Sequence, residues 1–494
     1  MNARFFLLAS ALFSLPFSCA CAQGKYDNIW IIGHGGEGMT FDFSTDTLVI
    51  SPIDIDIYHY SANASICDSA GNLLFYTNGV YVADSTHQPM ENSQVDLGLL
   101  TGNPNGGVNV SQIVFTLPVP ENPDIYYLFY KALYYLTPQS FGSKFYYSII
   151  DMSLNNGLGG VLEKDHLVME GVYLHWGQIT ACRHANGRDW WILLCESDSN
   201  RYYRYLLTPE GLEEHGIQEI GIPVPIGAGQ AVFSPDGTKY ARLDLVDLES
   251  GGYIDIYDFD RCEGFLSNQI QINYIDSSGA GGLAFSPNSK FLYVPSQNHV
   301  FQYDMEADDI PASKEVVGVY DGFMSPFWAS FFMAQLAPDG KIYINAPNGV
   351  DVMHVINNPN EQGLACDFAQ HSIELPTYNA FSMPNYPYFN LGALEGSPCD
   401  TLGTSAVAEV RGPGFQVRLF PNPVEEELHF HFSRPLARAG VLRIFDAMGR
   451  EVMEVALPAG QREWQVRLSA PPGIYFYEME NGVGGKCSGE LVKK

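Results

Sequence analysis

The sequence predicts an all-β protein: a β-propeller of about seven blades followed by a small immunoglobulin-like β-sandwich. Three observations lead there. Short runs of apolar and β-branched residues alternate with Gly, Pro, Asn and Asp along the chain, with no long amphipathic helical stretch between them. A strand–turn–strand unit recurs roughly every fifty residues, which suits one four-stranded blade per repeat. The charge also changes character late in the chain. Residues 5–404 carry 14 Lys+Arg against 45 Asp+Glu, whereas residues 405–494 carry 11 of each.

At the start, Arg4 precedes an almost wholly apolar run from Phe5 to Phe17, and Ala20-Cys21-Ala22 follows. This is a secretory signal peptide over residues 1–22, with cleavage between Ala22 and Gln23. The run is shorter than the about 20 residues a membrane-spanning helix takes. Acylation at Cys19 or Cys21 is the rival reading, but Pro16 and Ser18 stand where a lipoprotein signal has leucine.

NIWIIGHG (28–35) and GMTFDF (38–43) read as two strands, with GHGGEG (33–38) as the turn between them. That glycine-rich run lacks the lysine and the helix of a phosphate loop. His34 and Glu37 are placed where they could reach a propeller mouth.

The repeat is clearest in AVFSPDGTKYARL (231–243), LAFSPNSKFLYVP (283–295) and QLAPDGKIYINAP (335–347). In SPDG, serine suits turn position i, proline fixes φ at i+1, aspartate tolerates i+2 and glycine fits i+3. Weaker copies lie at 66–79, 121–133 and 182–194, and the turns align at Gly71, Asp124, Gly187, Gly237, Ser289 and Gly340. Further strands follow the hairpins at KFYYSIIDM (144–152), RYYRYLL (201–207), GYIDIYDFD (252–260) and HVFQYDM (299–305). The two opening strands and the closing FSMPNYPYF (381–389) are left to share a seventh blade, which would remove free sheet edges.

The propeller is thus expected over 24–395, and a Gly/Pro/Ser/Thr-rich linker over 396–413. In the sandwich of 414–494, LHFHF points Leu428, Phe430 and Phe432 inward and His429 and His431 outward.

Two resemblances bear on function. LFPNPVEEELHFHF (419–432), LRIFDAMGREV (442–452) and PPGIYFYEMENGVGGKCSGELVKK (471–494) resemble the C-terminal sorting domain of type IX secretion cargo in the Bacteroidetes. Glu490 departs from the basic or small residue common there. The resemblance implies export through the periplasm to the cell surface or the medium, with the type IX machinery as partner. SAGNLLFYTNGVYV (69–82), SLNNGLGGV (153–161), HANGRDWWILL (184–194) and MPNYPYFNLGALEGSPCDTLG (383–403) resemble an exported Bacteroidetes WD-repeat-like propeller family. That family implies a fold and no particular activity.

The acidity of the larger part argues against nucleic acid as a partner. Seven cysteines follow the signal peptide, and their spacing matches no zinc motif. Cys366 with Cys399 is the expected disulfide. His175, Trp176, Arg183, His184 and Asp189 cluster in sequence, and a His–Asp contact pinning a blade is the expected role. No GxSxG elbow supplies a nucleophile for them. Asp54-Ile-Asp56 and Asp255, Asp258 and Asp260 read as half-buried strands with a wet face, and calcium is the one cofactor weighed there, without EF-hand spacing. Asp-Thr/Ser-apolar triplets resemble O-glycosylation sites, with Thr401 as the favoured acceptor. No catalytic residue is assigned. The functional expectation is a binding module for an unknown glycan or protein, and the alternative is a polysaccharide hydrolase or lyase on the same scaffold. A mouth of aromatic and amide groups would favour binding, and clustered carboxylates with Arg or His would favour the enzyme.

Overall fold

The computed structural model describes residues 24–400 apart from 46, 96, 100–106, 138–139, 248–250 and 275–280. It also describes 417–493 apart from 421–423, 425–426, 433–435, 437, 447–448, 462 and 481–485. The chain divides into two compact units, with the break between Cys399 and Asp400. Both are built of strands, and the described residues include no α-helix.

In the first unit the sheets follow one another in chain order. Sheet I pairs Ile29–Asp42 with Val49–His59. Sheet II holds Ala64–Cys67, Leu73–Thr77 and Val82–Asp84. Sheet III runs Val114–Pro118, Ile125–Thr137, Ser140–Asp151 and Gly160–Val172, each strand antiparallel to the last. Sheet IV repeats the order with Thr180–Arg183, Trp190–Cys195, Ser199–Thr208 and Gly211–Val224. Sheet V does so with Ala231–Phe233, Lys239–Asp247, Gly251–Asp260 and Phe265–Tyr274. Sheet VI uses Ala284–Phe285, Phe291–Pro295, His299–Asp304 and Glu315–Val319. Sheet VII uses Ala334–Leu336, Ile342–Ile344, Val350–Ile356 and Phe368–Asn379.

The expected hairpin turns are present. At five of the six aligned positions the N–H donates to the carbonyl three residues back, from Gly71 to Asp68, Gly187 to His184, Gly237 to Ser234, Ser289 to Ser286 and Gly340 to Ala337, whereas the Asp124 N–H donates to the Asn122 side chain at 3.4 Å. Gly237 sits at φ 71°, a left-handed conformation that glycine adopts without Cβ strain. The Ser234 hydroxyl donates to Asp236 at 2.6 Å and closes the turn.

Two sequence expectations fail at the ends of this unit. GHGGEG is no turn. It lies inside the single strand Ile29–Asp42, where Gly35 takes φ 65° and the register slips between Gly35 and Glu37. A glycine bulge lets the strand bend and continue, and its partner is Val49–His59. Second, FSMPNYPYF joins no sheet. Pro384 and Pro387 lack the N–H a strand ladder requires.

That segment instead runs through the middle of the unit. Asn385 donates to the Val114 and Ile179 carbonyls at 3.1 and 2.9 Å and accepts from Gln112 at 3.2 Å. Ser382 takes hydrogen bonds from Asn63 at 2.8 Å and Asn345 at 3.2 Å, and the Tyr386 hydroxyl donates to the Ile29 carbonyl at 3.2 Å. One stretch thus ties sheets I, II, III, IV and VII together. The amides answer backbone carbonyls that would otherwise be buried without partners. Gln112 also brackets Ala231, and Gln230 links Leu283 to Ala334. The starts of the first strands of sheets III to VII therefore converge on a floor of amide side chains. Hydrophobic packing at the core runs from Trp30 and Phe41 to Tyr343, Tyr386 and Phe389.

Cys399 pairs with Cys262, their Cα atoms 5.5 Å apart, and Cys366 is a buried free thiol, so the expected Cys366–Cys399 bridge is corrected. Cys262 lies on a tight loop after Gly251–Asp260, which the end of the unit reaches through Arg261. The Arg261 guanidinium donates to the carbonyls of Arg183 at 3.0 Å and His184 at 3.2 Å, and to that of Gly392. Cys399→Ser is expected to lower stability by about 2–4 kcal/mol, because the bridge closes a separation of 137 residues. Guanidinium unfolding checks the loss, and a non-reducing peptide map should link Cys262 to Cys399.

The second unit packs two antiparallel sheets. One orders Val417–Phe420, Glu427–Phe432 and Glu463–Arg467, and the other Glu451–Leu457, Gly440–Asp446, Gly473–Glu480 and Lys486–Lys493. Leu428 and Phe430 from the first meet Leu442, Ile444, Tyr477 and Leu491 from the second in one core. His429 is half-buried between the two buried apolar residues.

Candidate binding surface

The loop between sheets VI and VII reads DGFMSPFWASFF (321–332). Its backbone is fastened at almost every turn. The Asp321 carboxylate accepts the Phe323 N–H at 2.9 Å, Ser325 N–H donates to Phe327 at 2.9 Å, and Ala329 N–H returns to the Phe323 carbonyl at 3.1 Å. Ser325-Pro326 is a cis peptide, and Pro326 bridges to Val350. From sheet VII, Asn348 donates to the Trp328 carbonyl at 2.9 Å. Ala329, Ala346, Val350 and Val352 pack beneath, with Phe323 against them. The Phe323 ring stacks on His371 at 4.1 Å, and His371 Nε2 lies 2.9 Å from Asp321.

With the backbone held from below and Ser330 and Phe331 buried, Met324, Phe327 and Trp328 point outward. Met324 is 53 % exposed, and Phe327 and Trp328 are each 58 % exposed. Three large apolar groups on one rigid loop are more than the scattered exposure ordinary for a soluble surface. The loop leaves sheet VI and enters the first strand of sheet VII, so it lies at the end of the unit where the first strands begin. Nearby on the same end, Tyr60 stacks on Phe381 at 6.0 Å, and Phe332 meets Phe381 edge-on at 5.8 Å. Phe332 adjoins the amide floor, its N–H donating to the Asn345 carbonyl at 2.9 Å, and Asn63, Gln112, Gln230 and Asn345 are themselves buried.

The opposite end is different. Where the first strands finish, a cavity of about 40 Å³ is lined by Asp27, Phe233, Phe285, Leu336 and Tyr388 among others. Burial pushes the Asp27 carboxyl up to about 6. About 40 Å³ is room for a few waters.

The residues singled out from sequence are dispersed. His34 and Glu37 are exposed on the bulged strand, with the His34 ring 5.7 Å from Tyr60. Arg183 covers the Trp190 ring at 3.9 Å, and burial lowers its pKa to about 10. The His184 ring meets the Cys262 carbonyl at 3.0 Å and accepts the Asn186 N–H at 3.0 Å, while Asp189 binds Arg188 and Asn186. Between His184 and Asp189 the contact runs through the backbone, the His184 N–H donating to the Asp189 carbonyl at 2.8 Å. A side-chain His–Asp contact forms between His175 and Asp244, 2.8 Å apart and both buried. Asp54 and Asp56 are exposed as expected, but Asp255 is fully buried. Arg242, Gln269 and Gln271 hold the Asp255 carboxylate, which removes it from the wet face expected for a calcium ligand. Ala22, Gln23 and Thr401 lie outside the described residues.

The aromatic loop was missed in the sequence. Its signal was present all the same: an unalternating aromatic run, broken by proline, between two recognisable strands.

No curated protein matches the chain. Solved structures with a similar outline include a candidate 6-phosphogluconolactonase from Bacteroides fragilis, at 11 % identity and a TM-score of 0.45, covering 72 % of this chain and 97 % of that one. The extracellular domain of a candidate one-component system from B. thetaiotaomicron is 11 % identical with a TM-score of 0.37, covering 95 % and 56 %. An exo-β-1,3-galactanase from Phanerochaete chrysosporium is 9 % identical with a TM-score of 0.30, covering 79 % and 97 %. No helix among the described residues is long and apolar enough to cross a membrane. Residues 418–494 match the secretion system C-terminal sorting domain, the mark of type IX cargo in the Bacteroidetes, and the chain is therefore one exported to the cell surface or secreted.

Proposed function

We propose that residues 24–395 form a seven-bladed, WD-repeat-like β-propeller that acts outside the cell as a binding module, with the loop 321–332 as its contact surface. Sheets I to VII supply the blades. First strands of neighbouring sheets touch from sheet I to II, II to III, IV to V, V to VI and VI to VII. Ile29–Asp42 lies against Phe368–Asn379, which brings the first sheet to the last.

The observation that carries the binding reading is the exposure of Met324, Phe327 and Trp328 together on one loop whose backbone is fastened by hydrogen bonds. Aromatic rings with few rotatable bonds supply contact area at small entropic cost, as binding hot spots do. Some of the charged groups that would suit a hydrolase are engaged in buried pairs, as Arg242 is with Asp255. Ligand classes that fit are neutral glycans, which stack on aromatic faces, and apolar or basic peptides. The acidity of this region disfavours anionic ligands.

The test is a glycan and peptide array probed with the mature chain and with Phe327→Ala/Trp328→Ala. Each truncation is expected to weaken binding by about 1–3 kcal/mol with the melting temperature unchanged. Retained binding by the double variant would remove the loop from the account.

A further inference from the structure

The cavity where the first strands finish contains a carboxylate without a counterion. Phe233 of sheet V, Phe285 of sheet VI and Leu336 of sheet VII line it, together with Tyr386 and Tyr388 of the closing segment and Asp27 ahead of sheet I. Asp27 is 9 % exposed. Burial raises the Tyr386 and Tyr388 phenols, and the charge of Asp27 raises both further, so the carboxylate stands near these two cavity residues. Among the described residues no Lys, Arg or His acts on Asp27. Burial opposes its charge, and the backbone N–H of Asp27 itself steadies it. An unpaired carboxylate held out of water is costly, and a cation supplied from outside would offset that cost.

The lining decides which cation fits. One carboxylate cannot supply the about six to eight oxygen ligands that calcium takes. The faces of aromatic rings attract an organic ammonium. A water-sized group needs ~10–15 Å³ of such space, so about 40 Å³ admits roughly three of them in a row. That is the tip of an unbranched aminoalkyl chain. The planar fork of a guanidinium and the head of a trimethylammonium are both wider. Val232, Gln335, Leu336 and Tyr388 are half-buried, which places the mouth of the cavity at the surface. The excess of acidic residues over residues 5–404, 45 against 14 basic, draws cations toward it.

We propose that this cavity binds a primary ammonium group at the end of an unbranched chain, the group that lysine side chains and free alkylamines share, with Asp27 as its counterion and Phe233, Phe285 and Tyr388 as its walls. The site lies at the end of the unit opposite the loop 321–332, so neither binding surface depends on the other.

The experiment is calorimetric titration of the mature chain at pH 7 with two probes, an acetylated and amidated glycine peptide carrying one lysine, and n-butylamine. Saturable binding of both supports recognition of the ammonium alone, and binding of the peptide alone supports a lysine-presenting partner. Binding of neither overturns the proposal. So does equal affinity for the arginine or trimethyl-lysine peptide, or competition by calcium at equal concentration. Asp27→Asn should weaken binding by about tenfold or more with the melting temperature unchanged or raised, because the variant removes a buried unpaired charge. Unchanged affinity in that variant overturns the role of Asp27. If Asp27→Asn does not fold, a pH series on the parent decides. Burial sets the Asp27 carboxyl at about 6, so binding should weaken about tenfold from pH 7 to pH 5 as the carboxylate is protonated. The groups that face it, Cys67, Tyr386 and Tyr388, are held neutral across that range, Asp68 beside Cys67 stays ionised, and the other lining side chains do not titrate. Affinity that is flat from pH 7 to pH 5 overturns the proposal.

Discussion

Replacing Asp244 with alanine is expected to destabilise the first unit by about 3–5 kcal/mol, the usual result of removing one partner from a buried ion pair. Asp244 is 0 % exposed and serves both His175 and Arg242, whose charges would be left in a site closed to water. Guanidinium unfolding measures the loss. A change below about 1 kcal/mol would mean the cluster is solvated and behaves as surface pairs do.

The pH dependence follows from the same groups. Burial opposes charge on His175, but Asp244 overrides it and raises the imidazole to about 9. A raised pKa stabilises the fold fully below the unfolded value of 6.5 and loses that contribution as pH rises through 9. Asp244 has the opposite sign. Despite its burial, His175 and Arg242 hold its pKa below 3.8, so its contribution is present above that value and lost as pH falls. Lys131, lowered by burial to about 7, works against His175 above pH 7, because its burial cost fades as the amine becomes neutral. The alkaline limb is therefore expected to be shallow.

The acid limb should be steep. Burial lowers His59 to about 4 and His354 to about 3. His59 is fully buried against Tyr76, and His354 Nδ1 accepts the His371 N–H at 2.9 Å, which suits a neutral ring. The unfolded chain protonates both below 6.5 while the folded chain does not, so stability falls as pH drops. Each contributes about 1.4 kcal/mol per pH unit until its folded pKa is reached. Asp27, raised to about 6, offsets one of the two between 6 and 3.8. His59→Leu/His354→Leu should flatten the melting temperature between pH 6.5 and 4. An acid limb as steep as that of the parent would show that other groups drive it.

Much of the fold was legible because its signals are local. SPDG, SPNS and APDG each set a turn within four residues, and the strands after them carry their own alternation. The sorting unit was legible for the same reason, through LHFHF and the strands around AMG. What escaped depends on distant partners. Nothing near Asn385 in sequence says that it answers carbonyls at Val114 and Ile179. Cys399 has several cysteines to choose from, and only the return of the chain past Arg261 selects Cys262. Asp255 looked like one tooth of a wet face until Arg242 crossed from the next strand to bury it. The aromatic loop failed differently: its residues look like core, and only the backbone bonds from Asn348, Phe323 and Phe327 show that they are held outward.

The exported chain is proposed to present the loop 321–332 to a ligand. The most direct measurement is calorimetric titration of the mature chain with the strongest array ligand, beside Trp328→Ala. The account predicts saturable binding by the parent, a loss of about tenfold or more in Trp328→Ala, and equal melting temperatures. Equal affinity in both proteins would contradict it and place the contact surface elsewhere on the first unit.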